Sequence, residues 1–250
     1  MADDDYLDAV DYTRDDLDIE DLEDVKHVVR LVDVHRVFAL GTNQIEAVTG
    51  VNLTVDAGDF VVVSGKSGSG KTTLLNIIGA IDLPTRGRVF VMDVPINDYD
   101  ESFRASFRLN NTGFIFQSYN LVSTLTAIEN VMFPMQLSEK SRAEIRDEAM
   151  SLLVSVEMEH RADHLPWQLS SGEQQRIAIA RAMANDPPII LADEPTANLD
   201  GYSGQKVRDL LFELNKQDRA IIVMTHDEGI INQPNVQHYK MELGVLKQHA

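Results

Sequence analysis

The chain has 250 residues, 44% of them hydrophobic, so it can bury a sizeable core in one domain or in two closely packed lobes. It has no cysteine, which excludes disulfides and cysteine-ligated zinc sites, and no apolar run approaches the roughly 18 residues that cross a bilayer. The net charge is −18, and no basic face is evident for nucleic-acid phosphates, so we expect no nucleic-acid partner.

The N-terminal segment carries most of the negative charge. Residues 1–24 contain twelve acidic residues and one arginine, a charge of −11 that leaves −7 for the rest of the chain. Residues 1–25 are therefore predicted to be a solvated, acidic extension, either a docking tail for a basic partner or a solvating tail without one. The acidic start also lacks the basic beginning of a secretory signal, which predicts that the chain stays in the cytosol.

Two strands rich in β-branched residues follow, at residues 28–37 and 47–55, with a polar turn at residues 41–44. They are expected to form an antiparallel sheet that leads into the next motif. Phe38 lies at the end of the first strand. Its ring could be a core or turn aromatic, or it could stack on an adenine base.

A buried strand at residues 61–64 then runs into a glycine-rich turn and a helix, the pattern of a phosphate-binding loop. Glycine lets successive backbone N–H groups turn inward towards one anion, and the N-terminus of the following helix adds partial positive charge. Lys71 can reach the β- and γ-phosphates of a nucleotide, and the hydroxyl of Thr72 can ligate Mg²⁺. The loop comprises Gly65, Lys66, Ser67, Gly68, Ser69, Gly70, Lys71, Thr72 and Thr73.

The middle of the chain is predicted to contain a strand at residues 88–92, a helix at 102–109 and a strand at 113–116. Gln117 ends the last of these, where its amide can reach a metal ion or an attacking water. Residues 118–170 are predicted to be helical, with a capping box at residues 141–144. The apolar residues 132–135, close to residues 121–122, are either a groove for a partner helix or core filler.

A second anion-binding helix end is predicted at Ser170, Ser171 and Gly172, followed by Glu173. An apolar strand at residues 189–192 then ends in two carboxylates. Asp193 at the strand tip fits Mg²⁺ binding, and Glu194 beside it fits activation of a water.

The next helix is predicted at residues 204–214 and the next strand at residues 220–225. This strand ends at His226, which can hydrogen-bond a γ-phosphate or hold the attacking water and its base in line. Strands that alternate with helices from residue 60 onward predict a mostly parallel sheet.

In this order the motifs resemble the ATP-binding cassette family, and the match spans about residues 28–246. Residues 65–73 match its phosphate loop, Gln117 its Q-loop, residues 169–176 its signature, residues 189–194 its Walker B strand, residues 197–200 its D-loop and His226 its switch histidine. Residues 113–117 and 126–130 are similar to the subgroup that serves lipoprotein release, macrolide export and cell division.

The resemblance implies an α/β fold: a P-loop NTPase core with a mostly parallel sheet, an N-terminal antiparallel β-subdomain and an inserted α-helical subdomain. Residues 26–117 and 171–250 would form the ATP-binding core, and residues 118–170 the helical subdomain.

It also implies ATP and Mg²⁺ as ligands, with Thr72, Gln117 and Asp193 around the metal, and Glu194, Gln117 and His226 as catalytic residues. Phe38 matches the family's adenine-stacking aromatic. The partners implied are a second copy of the chain, which sandwiches two ATP molecules between a phosphate loop and the opposite signature, and integral membrane subunits that dock near residues 117–135. The protein would then lie on the cytoplasmic face of the membrane.

Two features depart from the family pattern. Ser171 stands where the family usually has glycine; its backbone N–H is retained, but its side chain is expected to crowd the γ-phosphate and slow hydrolysis. The acidic extension is the other. The resemblance leaves one alternative open: an ATPase that drives a membrane partner which moves no substrate. A DNA-repair or ribosome-associated ATPase is disfavoured, because the sequence shows neither a long coiled coil nor a second cassette.

Overall fold

A computed structural model describes residues 27–41, 43–138 and 140–249 of the protein, with the exception of the Leu40 side chain. The predicted acidic extension at residues 1–25 lies outside these ranges. The strands are β1 (His27–Leu40), β2 (Asn43–Asp56), β3 (Phe60–Ser64), β4 (Arg86–Val91), β5 (Val94–Pro95), β6 (Thr112–Ile115), β7 (Ile189–Asp193), β8 (Ala220–Met224), β9 (Val236–Glu242) and β10 (Val245–Gln248).

The α-helices are α1 (Lys71–Ile78), α2 (Glu101–Asn111), α3 (Ala127–Met132), α4 (Arg142–Ser155), α5 (Ser171–Ala182), α6 (Gly201–Asn215) and α7 (Glu228–Ile231). Short 3₁₀ helices occur at Ile96–Asp98, Phe133–Leu137, Glu159–Arg161 and Pro166–Gln168. No helix within the described ranges is long and apolar enough to span a membrane.

The strands form two sheets. A six-stranded sheet has the order β10-β9-β3-β8-β7-β6, in which all neighbours pair in parallel except β10 with β9. A four-stranded sheet, β2-β1-β4-β5, is antiparallel. The predicted combination of a mostly parallel sheet with an N-terminal antiparallel sheet is therefore confirmed.

Alternate residues of β3 point to opposite faces of the large sheet, which is the period-2 geometry of a strand. Phe60 and Val62 join an apolar cluster with α3, α4, α5 and α6, whereas Val61 and Val63 join a second cluster with α1 and the antiparallel sheet. Each of these four side chains is at most 3% exposed, and burying such a side chain stabilises the fold by about 1.5–3 kcal/mol. The continuous apolar run that precedes the glycine-rich turn is thus a strand covered on both faces.

The helical segment after β6 begins its helices with capping boxes, as predicted for residues 141–144. Ser141 Oγ accepts from the Glu144 backbone N–H, and Glu144 Oε2 accepts from the Ser141 N–H at 2.8 Å. Hydrogen bonds from the Ser141 side chain and backbone to the Glu144 carboxylate lower its pKa. Residues 118–170 are largely helical or turn, but α3 and α4 share their apolar cluster with the sheet, and the domain boundaries at residues 117 and 170 remain predictions.

The apolar residues 132–135 are divided between the core and the surface. Met132 and Met135 are buried in the core, whereas Phe133 is 55% exposed. The methionines are therefore core residues, and the phenylalanine lies at the surface.

Candidate functional site

A cleft of about 740 Å³ opens at the carboxyl ends of β3, β6, β7 and β8. This is the edge of an open parallel sheet at which ligands bind. It brings together residues from both ends of the described chain, from Ala47 to Lys240, and most of the predicted site residues line it. Its lining residues are Ala47, Gly65, Lys66, Ser67, Gly68, Gly70, Lys71, Thr72, Thr73, Gln117, Asp193, Glu194, Ala197, His226 and Lys240.

The glycine-rich turn forms one wall of the cleft. Gly70 adopts a φ of 104°, and a Cβ there would lie 2.0 Å from the carbonyl oxygen of Ala47, so only glycine fits. The Lys71 ammonium donates to the carbonyl oxygens of Gly65 at 2.7 Å and Lys66 at 3.3 Å. These two hydrogen bonds hold the ammonium group against the backbone of the turn, where Lys71 lines the cleft.

Two further observations show that this wall suits a phosphate group. The first turn of α1 contains no acidic side chain, and no side chain in the described part of the protein caps its N-terminus, so the backbone N–H groups there can receive an external anion. Ser69 Oγ is buried without a hydrogen-bond partner among the described residues. An anion with several acceptor oxygens would satisfy both features.

Oxygen ligands of the kind that Mg²⁺ prefers lie beside the turn. Thr72 Oγ1 donates to Asp193 Oδ2 at 2.7 Å, and Gln117 is exposed on the same cleft. Burial raises the pKa of Asp193, and the nearby Glu194 carboxylate adds to this effect, against the hydrogen bond from Thr72. A divalent cation would relieve the crowding of two carboxylates, so this donor set fits the metal.

Glu194 is placed by its backbone and by two neighbours. Its φ of 46° lies in the left-handed region, and its N–H donates to the Met224 carbonyl at 2.8 Å, which turns the side chain towards the tip of β8. Thr225 Oγ1 donates to Glu194 Oε2 at 3.2 Å, and His226 Nδ1 lies 3.0 Å from the same oxygen. The carboxylate is 15% exposed and the imidazole 80% exposed. A largely buried carboxylate next to an exposed imidazole can accept a proton from a water in the cleft.

The predicted second anion-binding end lies outside the cleft. Ser170 caps α5, and Glu173 Oε2 accepts from the Ser170 N–H at 2.8 Å in a capping box. Burial acts to raise the pKa of Glu173, but the hydrogen bonds from Ser170 and Arg161 have the larger combined effect. The pKa of Glu173 is therefore lowered overall. Ser170 and Ser171 are exposed, so the N-terminal end of α5 faces solvent in the single chain.

Gly172 has a packing role that the sequence did not indicate. It is buried, and a Cβ there would lie 2.4 Å from Ser203 Oγ on α6. The absence of a side chain at this position is therefore required by helix packing within the subunit.

Phe38 does not line the cleft of the single chain. It is 37% exposed near the end of β1, and the guanidinium carbon of Arg36 lies 4.5 Å from its ring centroid. Its role as an adenine platform stays a prediction.

Several residues in or next to the cleft were missed by the sequence reasoning. Lys240 reaches the cleft from β9, Ala47 from β2, and Thr225 holds Glu194. The signal for β9 and β10 was the two-residue turn Leu243-Gly244 between short extended segments, because glycine at the second position of such a turn indicates a hairpin.

Comparison with known proteins places these features in a family. The family model described as ABC transporter matches residues 48–197. The chain is 44% identical over 234 residues to "ABC transporter H family member 2" of Dictyostelium discoideum, a match that covers 91% of this chain and 44% of that protein. It is 39% identical over 224 residues to the "Lipoprotein-releasing system ATP-binding protein LolD" of Saccharophagus degradans, a match that covers 89% of this chain and 98% of that protein.

A third relative has a solved structure. The chain is 45% identical over 208 residues to the ABC transporter ATP-binding protein MJ0796 of Methanocaldococcus jannaschii, covering 81% of this chain and 88% of that protein. The structure of the MJ0796 cassette, described as dimeric, in a post-hydrolysis state and bound to ADP and Pi, superimposes with a TM-score of 0.81 at 40% identity, over 88% of this chain and 98% of that chain. The chain thus spans less than half of the Dictyostelium relative but nearly the whole of the other two.

Proposed function

This chain belongs to the ABC transporter family as an ATP-hydrolysing nucleotide-binding subunit, and from that premise we propose that two copies close on two ATP molecules and drive a conformational change in membrane-embedded partners. One observation carries the proposal. The cleft gathers the phosphate loop and the carboxylates, but the second anion-binding helix end, at Ser170, is exposed and lies outside it. A second copy can supply that end to the open side of the cleft.

Within one subunit, the phosphate loop and the N-terminus of α1 bind the triphosphate of the substrate, and the Lys71 ammonium neutralises part of its charge. Asp193, Thr72 and Gln117 are the residues that hold Mg²⁺ in this proposal. When bound, the ion stabilises negative charge that develops on the phosphate oxygens.

Glu194 then acts as the proton acceptor for the attacking water, and His226 orients that carboxylate and reaches the γ-phosphate. Thr225 and His226 already hold the Glu194 side chain, and the residue lines the cleft. The N-terminal end of α5 in the partner copy, at Ser170, then stabilises negative charge on the γ-phosphate from the opposite side. A helix N-terminus favours an anion by about 0.3–1 kcal/mol, before its N–H hydrogen bonds are counted.

A membrane partner fits an apolar groove on the other side of β6. The groove has a volume of about 450 Å³ and lies between α2 and the segment at residues 120–134. Its exposed apolar side chains include Ile81, Val122 and Phe133, which are 40–55% exposed. A helix of an integral membrane subunit can bury these side chains, and the chain would then sit on the cytoplasmic face of the membrane.

The test of the sandwich uses Glu194→Gln. Glutamine keeps the size of the side chain but does not accept a proton from water, so ATP stays intact between two subunits. We expect this variant to be dimeric with saturating ATP and monomeric without nucleotide, as measured by size-exclusion chromatography with light scattering. Both copies carry net negative charge, so closure should be favoured by added salt, which screens charges over about 10 Å at 0.1 M.

The matched control adds Ser170→Arg to the same protein. A bulky side chain at the exposed end of α5 should abolish the dimer while each monomer still binds ATP. A Glu194→Gln protein that binds ATP but stays monomeric over the whole salt series would contradict closure of the isolated subunits.

A further inference from the structure

The Phe38 ring contacts a guanidinium group, and the residue remains partly exposed. The Arg36 guanidinium carbon lies 4.5 Å from the ring centroid, which is a cation–π contact, and 37% of the residue is exposed. Both side chains leave the same strand, β1, two residues apart, so they project from the same face. The pair therefore presents an aromatic surface that is backed by a cation.

Arg36 is in turn anchored to the segment that follows the phosphate-loop helix. Its Nη2 atom lies 2.8 Å from Asp82 Oδ1, and both side chains are about a quarter exposed. The Asp82 backbone N–H donates to the Asn76 carbonyl on α1 at 3.1 Å, and Asp82 Oδ1 also accepts from the Leu83 N–H at 2.8 Å. Contacts thus run from α1 through Asp82 and Arg36 to the ring.

The Arg36 side chain is placed for stacking as well as for ion pairing. Its Nε atom is buried and has no hydrogen-bond partner in the part of the chain that the structure describes. A bidentate pair with a carboxylate would use two nitrogens, whereas here one nitrogen pairs with Asp82 and the guanidinium carbon lies over the Phe38 ring.

The backbone near Phe38 is held independently of Arg36. The Val37 N–H donates to Thr85 Oγ1 at 3.0 Å, and the Thr85 N–H donates to the His35 carbonyl at 2.7 Å. Loss of the Arg36 side chain should therefore release the Phe38 ring without releasing the strand.

We infer that Arg36 is a positioning residue for nucleotide recognition: anchored on Asp82, it holds the Phe38 ring as a platform for the purine base at a fixed place relative to the phosphate loop. This inference rests on the proposed function, in which the chain binds ATP, and on the sequence-based prediction that Phe38 stacks on the adenine base. The guanidinium restricts the ring to one orientation, so less conformational freedom is lost when a base stacks on it. Arg36 should therefore affect binding of the base and not binding of the phosphates.

The test compares ADP, which carries the base, with inorganic pyrophosphate, which lacks it, by titration calorimetry on the full chain. Arg36→Gln should weaken ADP binding by about three- to tenfold, the range of a partly exposed cation–π contact, and leave pyrophosphate binding within about twofold. Phe38→Ala should weaken ADP binding at least as much. In the Phe38→Ala protein, adding Arg36→Gln should have no further effect.

The chain offers a matched control on the same strand. The Arg30 guanidinium carbon lies 4.3 Å from the ring centroid of Phe90, an equivalent arginine–aromatic pair that the proposed site does not include. Arg30→Gln should leave ADP affinity unchanged within about twofold.

Each outcome separates the inference from its premise. Normal ADP binding by Phe38→Ala would overturn the adenine platform and the inference with it, while phosphate binding by Lys71 would be unaffected. A loss with Phe38→Ala but none with Arg36→Gln would overturn the inference alone. Equal weakening of ADP and pyrophosphate by Arg36→Gln, or a further loss in the double variant, would show that Arg36 acts on the fold or on the phosphates and not through the ring.

Discussion

Lys71→Met should weaken ATP binding by about 10- to 150-fold. The ammonium has three N–H donors, and the carbonyl oxygens of Gly65 and Lys66 occupy two of them. One donor is left for a phosphate oxygen, and a hydrogen bond to a charged group contributes about 1.5–3 kcal/mol, where 1.4 kcal/mol is a factor of ten. The Lys71 side chain is buried, with 9% exposed. Methionine is an unbranched side chain of similar length, so the substitution removes the charge with little change in packing.

The assay is calorimetric titration with ATP, with urea unfolding of the free variant as a check on its fold. Lys240→Met is the matched control, because Lys240 lines the same cleft but is half exposed and forms an ion pair with Glu242 at 2.7 Å. An exposed charge is largely screened, so this control should change the affinity by less than about threefold at 0.15 M salt. If the two lysine variants bind ATP equally well, the geometric assignment of Lys71 to the phosphates is wrong.

Three further predictions concern neighbouring positions. Ser171→Gly should leave ATP affinity unchanged and raise, or at least not lower, the ATPase rate, because it removes an exposed side chain from the helix end proposed to face the γ-phosphate; a tenfold loss of rate would instead indicate a positive role for the hydroxyl. Gly172→Ala should lower the free energy of unfolding by about 1–3 kcal/mol through overpacking against Ser203, and Ser203→Gly should be less harmful in that variant than in the natural chain, as a urea-unfolding cycle would measure. Asp193→Asn should raise the urea midpoint of the nucleotide-free protein at pH 7, because the buried Asp193 carboxylate destabilises the fold. Asp227→Asn should lower the midpoint, because hydrogen bonds stabilise the Asp227 carboxylate in the folded protein. Equal shifts in the two variants would contradict these opposite roles.

Most of the site could be predicted from the sequence because its residues follow buried strands. β3, β6, β7 and β8 are parallel, so the residues after each of them meet at one edge of the sheet. Short apolar runs that end in Gly65, Gln117, Asp193 and His226 were therefore sufficient to place these residues in one cleft.

The C-terminal strands were harder to predict because they lack a clear apolar pattern. Within β9 only Met241 is buried, so the strand shows neither an apolar run nor a clean alternation. Its contacts with β3, the strand that leads into the phosphate loop, are also distant in sequence. For example, Ser64 Oγ and His238 Nε2 lie 2.7 Å apart across 174 positions. Such pairings depend on the tertiary fold, which local propensity does not encode.

The two aspartates near the cleft have opposite pH dependences, which distinguish a ligand-binding carboxylate from a structural one. Burial raises the pKa of Asp193 in the folded state, so its charge begins to destabilise the fold as the pH rises above its ordinary value of 3.8, and the destabilisation is complete above the folded pKa. Burial also acts to raise the pKa of Asp227, but hydrogen bonds from Thr196 and Arg208 lower it overall, so its stabilising effect is present above pH 3.8 and is lost only as the pH falls further. Between pH 7 and pH 4 the advantage of Asp193→Asn should therefore shrink, while the deficit of Asp227→Asn should persist. The carboxylate that destabilises the free protein is the one placed beside Thr72 and Glu194, where a bound cation would reverse the sign of its contribution.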